Sequence, residues 1–506
     1  MLTGVDGDLL SGAFIERRLS TIDDSASLER VRRDLMAWRA RCTMLGPAST
    51  PRALLQTGAT PLFAALGFEP PAQVELSGPG LAATLRSTGR SIALLVTPWG
   101  EPLDPLWRLA VTVSMRRSAL WCVLFDGLRL RIVDASRLYA RRHIEFDLDL
   151  ALDHPRSLAA LWQTAGASPM TADPADEASL HALVAASDRH TTGVCRSLRD
   201  GVLAASGDVL RALVANRRWT VDRHERRTVD LQDGFEQALT IVYRMLFLLF
   251  AEARALVPLW HPVYRDGYSL EALRDVAERS TRTPGLWDAL RAIARLAHAG
   301  CRAGDLRVTA FNGRLFSPTR TPLADRRGLD DEAARRAVMA LSTRPASDRV
   351  GRERIVYRDL GVEQLGAVYE TLLDYEPRAD HRTVTLESGS GIRKATGTFY
   401  TPQPIADYLV RRTLGLLVRD AAPERILQLR VVDPAMGSGA FLVAACRYLA
   451  NAYEVALVRS GSCHGSDIGE AERVAIRRTV AERCLYGVDL NPMAVQLARL
   501  SLWLAT

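Results

Sequence analysis

One pattern governs what the end of this 506-residue chain can fold into. Twice, a short apolar run closes on an aspartate and turns into a helix-forming segment. Arg430-Val431-Val432-Asp433 passes through Pro434-Ala435-Met436-Gly437-Ser438-Gly439 into the helical stretch Ala440 to Asn451. Leu485-Tyr486-Gly487-Val488-Asp489 passes through Leu490 to Asn491 and Pro492, a cap and a first helical residue. The helix that follows, Met493 to Ala505, is apolar nearly all round. Strand, turn and helix repeated in this way are the unit of a doubly wound α/β sheet.

Ligands of such sheets bind beyond the carboxyl ends of the strands, where Asp433 and Asp489 both stand. Gly437 and Gly439 lack Cβ atoms, so the backbone can approach a ligand closely. The helix start offers unpaired N–H groups and a positive dipole end. An acid ending the second strand suits the two hydroxyls of a ribose. A nicotinamide dinucleotide fold uses a similar turn, but its ribose carboxylate follows about twenty residues later. Here the two acids are much farther apart, with a polar insert from Arg459 to Glu472.

The rest of the chain reads as two further regions, in keeping with about three domains for this length. Helical pattern at Phe14 to Leu19 and Leu28 to Trp38 gives way to a buried strand, Ile92 to Thr97. Trp121 to Phe125 and Leu128 to Val133 flank Asp126-Gly127, a hairpin signal. From Ala178 the pattern is helical. Phe235 to Leu256 is one long helix, Leu286, Leu290, Ile293 and Ala297 recur at helical spacing before Gly300, and Val362 to Leu373 is another helix. Asn312-Gly313 marks a turn, and Glu387 to Gly391 a flexible boundary. Beyond it, Thr401-Pro402 opens a helix with Ile405, Leu409, Thr413 and Leu416 on one face. The expected domains are therefore 1–177, 178–386 and 387–506.

The seven cysteines are scattered without a Cys-x-x-Cys pair, which argues for a reducing cytosol and against a zinc site; no metal site is expected. The N-terminus lacks a signal-peptide pattern, and the most apolar stretch, Ala238 to Val257, contains Arg244, Glu252 and Arg254. A core helix is expected there rather than a membrane span. The net charge of +7 is compatible with nucleic acid. Lys394 is the one lysine, which excludes any mechanism that needs a lysine elsewhere.

Three motifs in order, Phe399-Tyr400-Thr401-Pro402, then Asp433 to Leu442, then Gly487-Val488-Asp489-Leu490-Asn491-Pro492, carry a resemblance. They look like the S-adenosyl-L-methionine motifs of the large N6-adenine DNA methyltransferases, found in type IIG restriction–modification and phage-defence systems. Tyr243 to Arg254 and Leu360 to Glu370 resemble helices of the connector that precedes the methylase in these proteins. The resemblance implies an N-terminal α/β domain of degenerate nuclease-like fold, a helical connector and the first half of a Rossmann-like methyltransferase domain. It implies that Phe399, Tyr400 and Thr401 pack along the methionine end of the cofactor. Asp433 with Ala435, Gly437, Ser438 and Gly439 would hold the methionine and adenosine portion. Asp489 would take the ribose hydroxyls, and Asn491 would flank the adenine. Asn491 also reads as a helix cap, and Phe399 as core packing.

One departure is large. The family's catalytic Asn/Asp-Pro-Pro-Tyr/Phe, which binds the flipped-out adenine, does not occur in this sequence, whose only Pro-Pro is Pro70-Pro71. The expectation is a truncated product, a split enzyme or a fragment that lacks the target-recognition domain and is inactive alone, with no catalytic residue of its own. Its expected partners are double-stranded DNA and a separate chain supplying the rest of the methylase; a cytoplasmic location is expected, with no membrane association. The alternative is a non-catalytic DNA-binding or scaffolding subunit of a defence complex. No lysine stands near the Ile92–Thr97 strand, where a metal-dependent nuclease would need one, so a structural relative is expected there. Arg217 and Arg218 with Trp219, Arg223, Arg226 and Arg227 form the densest basic segment, a candidate for DNA contact, with a solvated helix face as the favoured alternative.

Overall fold

The computed structural model describes residues 2–19, 25–87, 90–136, 142–215, 231–311, 313–346, 351–361, 366, 375–379, 384–388, 401–463 and 468–506. The basic segment at Arg217, Arg218, Arg223, Arg226 and Arg227 lies outside them, as do Phe399, Tyr400, Asn312, Lys394 and most of the expected helix from Val362. The chain divides into two compact units, Met1–Thr192 and Gly193–Thr506. Both mix helices and strands.

The first unit is built on a seven-stranded mixed sheet. Its strands are β1 (Val5–Gly7), β2 (Ala72–Ser77), β3 (Gly80–Leu85), β4 (Ile92–Val96), β5 (Trp121–Phe125), β6 (Arg129–Asp134) and β7 (His143–Asp147), in the order β1-β7-β6-β5-β4-β3-β2. Only β4 and β5 pair in parallel; the other neighbours are antiparallel. Helices α1 (Gly12–Leu19), α2 (Ser25–Cys42), α3 (Trp107–Arg116) and α4 (Pro155–Ala165) accompany the sheet. Alternation of side chains explains why β4 and β5 are unbroken apolar runs. Leu94, Val96, Val123 and Phe125 enter one core, while Ala93, Leu95, Cys122 and Leu124 enter another with Trp107, Ala110 and Val113 of α3.

The hairpin between β5 and β6 forms with its tip one residue later than the Asp126-Gly127 signal suggests. Asp126 N–H donates to Arg129 O at 3.4 Å, which leaves Gly127 and Leu128 at the tip, Gly127 with φ +91°. The Asp126 carboxylate accepts from the N–H groups of Leu128 and Arg129, the usual way an aspartate closes such a turn.

The second unit begins within the long helix α5 (Leu180–Ala215) and continues with α6 (Leu231–Ala253), α7 (Leu270–Arg279), α8 (Leu286–Ala299) and α9 (Asp331–Ser342). Among the described residues, two helices are long and apolar enough to cross a membrane by length and composition, α6 and α11 below. The most apolar window of α6 is 94% buried within the protein, so its hydrophobicity is that of a core helix. Gly300 ends α8 with φ +73°, a backbone conformation that favours glycine.

The C-terminal part of this unit contains α10 (Gln403–Val418), strand β8 (Val431–Asp433), α11 (Ala440–Arg459), α12 (Glu470–Cys484), strand β9 (Leu485–Gly487) and α13 (Pro492–Ala505). α12 falls partly within the segment read as a polar insert. The face of α10 expected to be its apolar contact is turned outward: Ile405, Leu409, Thr413 and Leu416 are exposed. Ala406, Val410 and Leu414 are buried instead, in the core that α10 shares with α11. The helix is apolar on both sides, and the smaller side chains allow the closer approach.

Candidate functional site

β8 and β9 lie side by side in parallel, with Val431, Val432 and Asp433 opposite Leu485, Tyr486 and Gly487. Both chains leave the sheet at the same end, so the turns after them meet. Val488 N–H donates to Asp433 O at 2.9 Å, and Met436 N–H donates to Val488 O at 3.0 Å. These two bonds prolong the pairing beyond the strands and fix one turn against the other.

The Asp489 carboxylate completes the union. Its Oδ2 accepts from Gly437 N–H at 2.9 Å, and its Oδ1 from Asn491 N–H at 2.8 Å. One side chain therefore anchors the glycine turn after β8 and the entry to α13. Each oxygen keeps a lone pair for a further donor. Gly437 and Gly439 have φ of +54° and +88°, values that a residue with Cβ adopts only under strain. Space around a Cβ separates their roles. At Gly439 it would lie 3.1 Å from Ala498 of α13, whereas at Gly437 it would meet open space. Gly439 allows close packing of the turn on a helix, and Gly437 faces a vacant region beside Asp489.

Asp433 differs from Asp489. Its Oδ1 accepts from Ala435 N–H at 3.2 Å, while its Oδ2 is buried with no hydrogen-bond partner among the described residues. Burial raises its pKa above the ordinary carboxylate value; the negative charge of Asp489 adds to the rise, and the Ala435 amide offsets part of it. A buried acceptor left bare is a place for a ligand donor.

The structure thus brings together Asp433, Ala435, Gly437, Ser438, Gly439, Asp489 and Asn491 around one pair of strand ends. Thr401 stands apart from that group in sequence and immediately precedes Pro402 and α10, which packs on α11. Asn491 is the residue before α13, and its carbonyl accepts from Val495 N–H. Sequence reasoning placed Gly487 in the third motif without giving it a role. A Cβ there would lie 2.2 Å from Met436 Sδ and 2.7 Å from Leu442 Cδ1, so this glycine lets the turn fold against β9.

Comparison with known proteins adds three findings. The family model described as MmeI, DNA-methyltransferase domain, matches residues 419–506, which hold β8, β9 and both turns. An adenine-specific methyltransferase, PglX, of Streptomyces coelicolor is 32% identical over 115 residues, covering 22% of this chain and 8% of that protein. A candidate type II restriction enzyme and methyltransferase of Methanocaldococcus jannaschii is 23% identical over 319 residues, covering 53% of this chain and 24% of that protein. The matches thus span a quarter or less of these relatives' lengths. No solved structure matches this chain.

Proposed function

We propose, on the premise that this chain belongs to the type IIG restriction–modification methylase family, that it carries the S-adenosyl-L-methionine cradle of an N6-adenine DNA methyltransferase. The observation that supports the cradle most directly is the pairing of roles at the strand ends. Asp489 locks the glycine turn in place, and Asp433 leaves an unpartnered buried oxygen next to it. Gly437 borders open space in the turn that leads from Asp433 to α11, whose first N–H groups receive no side-chain cap from Gly439. This donor and acceptor set fits a cofactor that carries an α-amino acid and a ribose. When bound, that cofactor supplies the methyl group. Asp489 would orient the ribose hydroxyls, the loop from Ala435 to Gly439 the methionine and adenosine portion, and Phe399, Tyr400 and Thr401 the methionine end.

Transfer to adenine requires further polypeptide. No Asn/Asp-Pro-Pro-Tyr/Phe occurs in the sequence, and the outer face of the β8–β9 pair is bare. Val432, Tyr486 and Val488 are 60%, 46% and 59% exposed, although parallel sheets occur almost only with both faces covered. On this reading further strands, joined to this chain or on a separate one, extend the sheet at its edge, their connecting helices cover that face, and a target-recognition domain brings double-stranded DNA to the cofactor in the cytoplasm.

The N-terminal unit is read as a nuclease-like scaffold without the nuclease's chemistry. Arg131 pairs with both Glu145 and Asp104 at 2.6 Å, and Arg129 pairs with Asp126 at 2.7 Å. Burial alone would raise the Asp104 pKa, but Arg131 outweighs it and lowers the value. Carboxylates closed in this way by guanidinium groups are poor ligands for a divalent metal.

Calorimetry tests the cradle. S-adenosylmethionine titrated into the chain gives saturable binding, and Asp489→Asn weakens it at least about tenfold while costing about 1–2 kcal/mol in urea unfolding. Unchanged affinity in that variant, or equal binding of NAD, would reject the assignment.

A further inference from the structure

The helical part of the second unit holds a cavity that methyl transfer leaves without a role. Its volume is about 200 Å³. Along one wall runs α8, whose Trp287 and Arg291 line the cavity one helical turn apart. Apolar side chains of α6, Met245 and Leu248 among them, and the ring of Phe316 also line it. Three guanidinium groups, those of Arg244, Arg291 and Arg295, border the space against the single carboxylate of Asp325.

Two donors on the α8 wall lack acceptors. Trp287 is 7% exposed, and its indole Nε1–H is buried with no hydrogen-bond partner among the described residues. The Nε–H of Arg291 is buried and equally without a hydrogen bond: it stands 3.6 Å from the nearest Asp325 oxygen, too far for one. The terminal nitrogens of Arg291 are held by Asp288 and by the Asp325 main-chain carbonyl, and its Nε keeps only the longer ion pair to the Asp325 carboxylate. Arg244 adds charge but no acceptor, because a guanidinium only donates. Its nitrogens are engaged with Leu315 O, Ser317 O and Thr321 Oγ1. A buried N–H that loses hydration without gaining an acceptor is costly, and folded proteins seldom leave one bare.

The unmet need is thus for an anionic acceptor on a compact apolar body. An apolar cavity of about 150 Å³ holds a benzene ring. One slightly larger, with two unpartnered donors on residues of one wall and surplus positive charge, suits a ring bearing a carboxylate. We propose that this cavity binds a small aromatic carboxylate. The ring lies between α6 and α8, the carboxylate accepts from Trp287 Nε1 and Arg291 Nε, and the exposed Arg295 sits at the mouth. This site is separate from the strand-end cradle, and its occupancy does not depend on the methyltransferase assignment.

Phenylacetate is the probe, titrated calorimetrically into the full chain. Saturable binding is expected. 2-Phenylethanol, which keeps the ring without the charge, and acetate, which keeps the charge without the ring, should each bind at least about tenfold more weakly. Trp287→Phe keeps an aromatic wall and removes the indole N–H together with the five-membered ring; it should weaken phenylacetate about tenfold, and 2-phenylethanol much less, with an unchanged far-ultraviolet circular dichroism spectrum. Arg295→Gln alters an exposed side chain, so it stays informative if the tryptophan variant does not fold, and it should weaken phenylacetate several-fold without affecting 2-phenylethanol. Absence of saturable phenylacetate binding would overturn the proposal and leave water as the occupant. Equal affinity for 2-phenylethanol, or no effect from either folded variant, would overturn it as well.

Discussion

Gly487 shows how a single missing Cβ sets the geometry of the strand ends. Alanine at this position would place its methyl carbon 2.2 Å from Met436 Sδ and 2.7 Å from Leu442 Cδ1. Met436 and Leu442 are buried in one core, so both side chains would have to repack there to make room. Gly487→Ala should cost about 1–3 kcal/mol, the usual penalty of an overpacked core. A urea titration measures it, and a loss below about 0.5 kcal/mol would mean that the methionine moves aside freely. The sequence announces the two acids plainly, because each closes an apolar run at a turn. It does not announce the contact at Gly487 or the bond from Gly437 N–H to Asp489, since these depend on which strands become neighbours. Local pattern places residues at strand ends; only the parallel pairing of β8 with β9 decides what those ends touch.

At the scale of elements, α13 accounts for its own composition. Ala494, Leu497, Leu500 and Leu504 enter the core of the helical part, while Ala498 enters that of the C-terminal α/β part. Trp503 packs on Phe247 of α6 with ring centroids 4.8 Å apart. A helix between two cores needs apolar residues all round, which the sequence displays without revealing the reason. The polar α12 gives the opposite lesson: its periodicity is weak, and its burial comes mainly from packing beside α11, with further contacts to β9 and to residues 423–427. The join between α6 and α7 is a third case. Glu252 of α6 is 3% exposed and accepts from Leu270 N–H at 2.6 Å and Glu271 N–H at 3.0 Å, capping α7 from another helix. Burial pushes its pKa up to about 8, against the pull of those two amides. The folded chain then keeps a proton that the unfolded chain releases near 4.5, so this group's contribution falls as pH rises between those values. Glu252→Gln should therefore flatten the decline in stability between about pH 5 and 8. Thermal melts of both proteins across that interval provide the check, and parallel curves would show that Glu252 is ionised throughout.

For the whole molecule, the legible part was the class of architecture: a mixed α/β chain whose C-terminal strands end in paired acids. The order of the seven-stranded sheet was not legible: five of its six pairings are antiparallel and one is parallel, and apart from the β5–β6 hairpin no local pattern records which strands become neighbours. Nor was it evident that apolar side chains of α10 and of β8 and β9 stay uncovered among the described residues. Ile405, Leu409 and Leu416 on the helix, and Val432, Tyr486 and Val488 on the strands, remain in solvent. Neither surface contributes to the stability of this chain as it stands, so charge placed there should cost little until something docks. Tyr486→Glu should change urea-unfolding stability by no more than about 0.5 kcal/mol, as exposed substitutions generally do. The same change should abolish methyl transfer to DNA once the chain is supplied with polypeptide bearing the Asn-Pro-Pro-Tyr strand, because the added layer would have to bury a carboxylate against it. Incorporation of radiolabelled methyl groups into DNA measures the second effect. Transfer at the unsubstituted rate would mean that the methylase is completed elsewhere on the surface, whereas a large stability loss would mean that Tyr486 already belongs to this chain's own core.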